Sequence, residues 1–126
     1  MAYSDTIKYV VGDTMPLINI TIKDSNVAAA GKTLDEQDST TWAAINISTA
    51  DVVRMHIRKL GSSTISTLNG NKVGGGTNGQ ATFEPLTTTF TSAGTYEGEI
   101  ELTYNTGNDV QTIYDLMKFT VRDDFN

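Results

Sequence analysis

Between Phe90 and Tyr104 a glycine-bearing corner leads into a strand of unbroken alternation. Tyr96, Gly98, Ile100, Leu102 and Tyr104 share one side, and Glu97, Glu99, Glu101 and Thr103 share the other. A period of two is what a half-buried strand requires. Three carboxylates on one side read as a solvated face that also discourages edge-to-edge pairing. The corner itself, Ser92 to Tyr96 with Gly94 inside it, has the spacing of a tyrosine corner. In that device a Tyr at the start of a sandwich strand returns its hydroxyl to nearby backbone. Gly94 and Tyr96 are its candidate residues.

The rest of the chain is consistent with that strand. At 126 residues the sequence reads as one domain, 1–126, long enough for a genuine core. Apolar residues come in short alternating runs among abundant Thr, Ser, Gly and Asn, which is all-β usage. A formal charge of -6, with nine Lys and Arg scattered along the chain, argues against a nucleic-acid partner. No apolar run approaches the roughly 20 residues of a membrane helix. The first residues, Met1 to Thr6, have neither a basic nor an apolar signal region, so the expectation is a soluble chain with no membrane partner and no export signal of its own. There is no Cys, hence no disulfide, and stability must rest on packing. Asn19-Ile20-Thr21 and Asn46-Ile47-Ser48 match the glycosylation sequon and are taken as chance in a Thr- and Ser-rich chain.

Turn chemistry divides the chain into strands. Thr6 to Val11 is a first strand, broken at Gly12, and Leu17 to Ile22 is a second, with Pro16 tolerable at its start. Residues 24–50 form a long irregular excursion with an acidic patch at Asp35, Glu36 and Asp38 and the lone Trp42. Segments of that length without regular structure are usually binding loops or mobile insertions. The four residues are therefore candidate partner contacts, the alternative being a disordered insertion with Trp42 covering one end of the core. After Asp51, Val53, Met55 and Ile57 alternate with Arg54, His56 and Arg58, giving a core face and a basic face. Those three basic residues are further candidate partner contacts. Ser63 to Asn69 reads as another strand, and Asn69-Gly70 as the turn that closes its hairpin. Gly74 to Gly79 reads as the most flexible tract, followed by a short strand from Gln80 to Glu84. Asn105 to Asn108 is a hairpin loop and Val110 to Val121 a last strand. Its alternation is disturbed around Tyr114-Asp115-Leu116, which suggests a bulge or a switch between sheets. About seven or eight strands with frequent turns are the pattern of an immunoglobulin-like Greek-key β-sandwich. Where antibody-type domains place a Cys two residues after the corner Tyr, this chain has Gly98.

Little in the sequence points to catalysis. One His and no Cys leave no Cys-His pair and no multi-His zinc site. No nucleophile elbow supports a Ser/His/Asp site. The glycine tract lacks the Lys-Ser/Thr ending of a phosphate loop. Asp123 and Asp124 with Asp13 or Asp24 have none of the spacing of a dedicated calcium loop. No catalytic residue, cofactor or metal is expected, and the chain reads as a non-enzyme.

Several pieces stand in a recognisable order. They are Gly12-Asp13-Thr14 with Pro16, the segment from Asp51 to Arg58, Gly79 to Phe83, Thr91 to Glu101, and a terminal run from Phe119 to Asp124. Together they resemble the immunoglobulin-like N-terminal domain of baseplate upper proteins of tailed bacteriophages, over about residues 8 to 124. The resemblance implies a non-enzymatic virion part that attaches a host-recognition device to the tail. It implies other virion proteins as partners in a symmetric assembly, and the virion, assembled from parts made in the host cytoplasm, as the location. Two departures stand out: the excursion at 24–50 is longer than in the family, and baseplate upper proteins continue into a further region. A tail or fibre adaptor is therefore the first expectation. A capsid decoration or neck protein is the alternative. A carbohydrate-binding surface module is a further one, with Trp42, Tyr3, Tyr9 and Tyr114 as its candidate aromatics.

Overall fold

Alternation decides which residues each strand sends inward, and in the computed structural model, which describes residues 6–125, those residues meet in one core. The strands are β1 (Ile7–Val10), β2 (Ile18–Thr21), β3 (Lys23–Ala28), β4 (Trp42–Ala44), β5 (Val52–Lys59), β6 (Ser66–Lys72), β7 (Gln80–Phe83), β8 (Gly94–Tyr104), β9 (Asp109–Thr112) and β10 (Met117–Arg122). One sheet runs β1-β10-β8-β5-β6-β7-β2, with β9 also on β8, and β3 pairs with β4 separately. The large sheet curls on itself. Val53, Met55 and Ile57 of β5, Ile100 and Leu102 of β8, and Phe119 and Val121 of β10 face Ile18 of β2 and Ala81 and Phe83 of β7, all buried. The all-β sandwich reading holds.

The strand β6 carries the curl. Its first half pairs with β5, from Ile57↔Ser66 to Arg54↔Asn69, and its second half with β7, from Gly70↔Phe83 to Lys72↔Ala81. The expected Asn69-Gly70 turn is therefore wrong: both residues lie inside the strand, at the point where it changes partner. Gly70 is needed there for space, since a Cβ would stand 2.5 Å from the Phe83 ring. The reversal comes later, at the glycine tract, which is not the loose segment expected. Gly76 accepts from the Ile47 amide at 2.9 Å and Gly79 from the Ile22 amide at 2.8 Å. Both glycines are buried and left-handed, with φ of 84° and 75°.

At the other end of the core, Phe90 is fully buried between Tyr9 of β1, Tyr96 of β8 and Phe119 of β10, with ring centroids at 5.0, 5.1 and 5.4 Å. Tyr96 donates its hydroxyl to the Ser92 carbonyl at 2.7 Å and accepts from the Ser92 amide at 3.3 Å, which pins the approach to β8. Two residues after the corner Tyr the fit is tight: a Cβ on Gly98 would lie 3.0 Å from the Phe119 ring and 3.3 Å from the Met55 sulfur, so those side chains would have to give way.

Tyr9 donates its hydroxyl to the Pro16 carbonyl, and burial pushes its phenol up to about 12 from an ordinary 10.0. The folded state therefore holds this proton more tightly than the unfolded chain does. Its contribution to stability is complete below pH 10 and is lost as pH rises from 10 towards 12. Burial raises the Tyr104 phenol as well, in the same direction. Urea midpoints measured across this window are expected to fall with pH for the native chain and to fall less for Tyr9→Phe; equal slopes would contradict the assignment.

The excursion at 24–50 is irregular only in part, at 29–38 and 45–50, and holds a short hairpin. After Ile22, which bonds to both Gly79 and Ile45, the chain continues from β2 into β3 and returns as β4. Lys23↔Ala44 and Asp24↔Ala43 pair in register, and the ladder shifts before Ala28↔Trp42. A small hairpin thus prolongs the β2 edge of the sandwich.

Candidate functional site

The expected contacts in the excursion separate on burial. Trp42 is 1 % exposed and its indole N–H donates to the Asp35 carbonyl at 3.0 Å, so it is a core residue and no partner contact. The physical reason is that β4 turns the ring inward at the start of the strand while the 29–41 loop folds over it. Asp35 and Asp38 spend their carboxylates locally, accepting from the Gln37 amide at 2.9 Å and the Thr40 amide at 3.0 Å. The hydrogen bonds from Thr40 hold the Asp38 carboxyl below the usual range. Glu36 is exposed. A Trp42→Phe chain keeps an aromatic ring in the core but loses the indole bond and part of the buried volume, and is expected to cost about 2–3 kcal/mol in urea denaturation. Hydrogen exchange of residues 35–41 should quicken in the same chain; unchanged exchange would mean that the bond does not hold the loop.

The basic residues of β5 do face outward, and the structure brings them together with the acidic residues of β8. Arg54 stands opposite Glu101, His56 opposite Glu99 and Arg58 opposite Glu97. Because β8 lies between β5 and β10, its glutamates do not guard a sheet edge, and that expectation is corrected: they form the centre of a cross-strand charge ladder. Glu101 Oε1 lies 3.8 Å from Arg54 Nη1 and 3.7 Å from His56 Nε2. His56 Nδ1 lies 2.9 Å from the Thr67 hydroxyl of β6. Glu97 takes Lys118 of β10 at 3.3 Å. These are partly exposed pairs and each stabilises weakly. Their effect is to bind most of the face's charge to itself.

One end of this face is open. The return strand along β8 is not continuous, as sequence reading expected of Val110 to Val121, but divides into β9 and β10 on the same edge. Glu101 pairs with Thr112 and Gly98 with Met117. Two residues of β8, Glu99 and Ile100, thus face four, Ile113 to Leu116. An excess of two leaves the inward and outward phase intact, because the side-chain period is also two. Ile113 and Met117 remain buried, Tyr114 is 87 % exposed, and Asp115 takes a buried position at 8 % exposure. The bulge leaves a groove of about 650 Å³ lined by Glu99, Thr112, Tyr114, Asp115, Leu116 and Lys118 among others. It continues on the ladder side into a smaller hollow bounded by His56, Arg58 and Ile65. Sequence reading flagged the disturbance but not the cavity, since a gap between two strands depends on the register of a third.

A second cleft of about 350 Å³ lies outside β1 and β10, between Lys8, Met15, Pro16 and Arg122. Among the described residues no group of three or more His, Asp or Glu side chains could hold a metal ion, and no helix is long and apolar enough to cross a membrane. Tyr3 lies outside the described residues. Comparison with protein-family models and with curated proteins returns no match for this chain.

Proposed function

We propose that this protein is a non-enzymatic structural subunit of a tailed-phage virion, an immunoglobulin-like module that attaches to tail, baseplate or fibre proteins. The observation that carries the reading is the Tyr96 corner, closed on Ser92 at the start of the central strand β8. The strand neighbours support it: β2 lies on β7, and β8 lies between β5 and β10, as B lies on E and F between C and G in immunoglobulin-like sandwiches. The single His stands on an open sheet face with Thr67 and Glu101, an arrangement suited to surface contact. Repetition around a symmetric particle multiplies a weak contact through avidity, so a small acidic domain attaches stably through a modest surface. The carbohydrate-binding alternative is weakened, because of its described aromatics Trp42 and Tyr9 are buried and Tyr114 alone is exposed.

The test is immunogold electron microscopy of intact phage particles with an antibody to the recombinant protein. Gold at the tail tip or fibres is the expected result. Gold across the head or at the neck would move the module to capsid decoration or the neck, and particles without gold would count against a virion role.

A further inference from the structure

The margins of the large sheet are unlike. At one end β1 carries Lys8, and β9, which pairs only with β8, carries Asp109 and stops at the bulge. Charges and bulges are common guards of a free edge against further pairing. At the other end β2, with the sequence Ile18-Asn19-Ile20-Thr21, has no charge, no Pro and no bulge. Which of its backbone groups are free follows from the ladder. The Ile22 amide donates to the Gly79 carbonyl, so Ile22 turns its backbone towards β7. Along an antiparallel strand that direction alternates, so Ile18 and Ile20 bond to β7, and Asn19 and Thr21 turn their N–H and C=O groups outward. The β7 side agrees, since Gln80, opposite Thr21, sends its carbonyl to the Val73 amide and away from β2. No described residue bonds the backbone of Asn19 or Thr21 on the outer side. Ile20 lies between them, packed on the core but only partly buried. A hollow of about 240 Å³ beside the edge is lined by Asn19, Ile20, Thr21, Val73, Gln80 and Ala81, uncharged throughout.

We propose that β2 is a pairing edge for a second copy of this chain, joined antiparallel about a two-fold axis at Ile20. The register is self-complementary: Asn19 stands opposite Thr21 of the second copy and Thr21 opposite its Asn19, so every outward group of the strand finds a partner. The two Ile20 side chains meet at the axis as a non-hydrogen-bonded pair, where side chains approach most closely, and each covers the exposed part of the other. Further along, Lys23 stands opposite Leu17 and Asp24 opposite Pro16, so no like charges oppose each other. Pro16 has no N–H and ends the ladder there. A chain of formal charge -6 repels its own kind over much of its surface, and this neutral margin lets two copies meet without setting like charges together. The inference goes beyond the attachment reading and stands without it.

Sedimentation equilibrium and amide hydrogen exchange by NMR on the whole chain, from micromolar to millimolar concentration, test it. A reversible monomer–dimer equilibrium is expected. The Asn19 and Thr21 amides should exchange freely in dilute solution and severalfold more slowly in concentrated solution, while those of Ile18 and Ile20 are protected throughout. Thr21→Pro removes an outward N–H where an edge strand tolerates proline, and should leave a folded monomer. Should that chain fail to fold, Asn19→Lys with Thr21→Lys sets like charges opposite each other in the same register and should abolish the dimer. Mixing that chain with the Asn19→Glu, Thr21→Glu chain should restore pairing. A monomer at every concentration, a dimer whose Asn19 and Thr21 amides stay unprotected, association beyond the dimer, or a dimer undiminished in these variants would overturn the proposal. The gold labelling is independent of these outcomes: pairing without particle labelling removes the virion reading alone, and the reverse result removes the pairing edge alone.

Discussion

Replacing Phe90 by alanine is expected to destabilise the fold by about 4 kcal/mol. The ring has no exposed surface and touches three other aromatic rings, from β1, β8 and β10. Its removal leaves a cavity where four rings met, in addition to the lost transfer free energy of the side chain. The neighbours cannot collapse into the gap easily. Tyr96 is tied to Ser92, Tyr9 to Pro16, and Phe119 is held in the β10 ladder opposite Tyr96. Urea denaturation followed by the emission of the buried Trp42 measures the loss. A cost under about 1 kcal/mol would mean that this end of the sandwich repacks freely, contrary to the close packing of protein cores.

The second large effect is expected at Gly79. A Cβ there would stand 2.7 Å from the Ile45 carbonyl oxygen and 2.8 Å from that of Ile22, at a φ of +75°. Both neighbours are backbone, and the Ile22 carbonyl accepts from Ile45 while the Ile22 amide donates to Gly79. Neither can move without opening the junction between β2, β3 and β4. Gly79→Ala combines left-handed strain with a backbone clash, together about 3–4 kcal/mol. Gly75 is the control: its φ is +76°, but a Cβ there meets nothing within 4 Å, so Gly75→Ala should cost only about 1 kcal/mol of strain. Equal losses in the two chains would show that the tract matters only for its conformation and not for its packing.

These two sites differ in how far they could be read from sequence. Phe90 stands just before the corner whose spacing was recognisable, so its place near the start of β8 followed from local pattern. Gly79 belonged to a run whose composition signalled looseness. Its anchoring depends on Ile22 and Ile45, more than thirty residues earlier in the chain. Asn69-Gly70 misled in the same way: the local preference of Asn-Gly for a turn is modest, and the Phe83 ring packed over Gly70 outweighs it. Trp42 looked like a contact because nothing around it alternates. The loop that covers it could not be inferred from composition.

The candidate site divides similarly. That Arg54, His56 and Arg58 share a face, and that Glu97, Glu99 and Glu101 share another, was legible in the alternation. That these faces are one surface, with opposite charges in register, came only from the pairing of β5 with β8. The Asp115 groove was visible merely as a disturbance, because an insertion of two residues preserves the side-chain phase and conceals itself in a pattern of period two. The sequence by itself determined where the strands run and which side chains each sends to each side, since that period is a property of the extended backbone within a few residues. Only the tertiary structure decided which strands are neighbours, in what register, and hence which charges meet and where a gap is left. Those choices join residues far apart in the chain, and any strand of suitable face could in principle have filled each place.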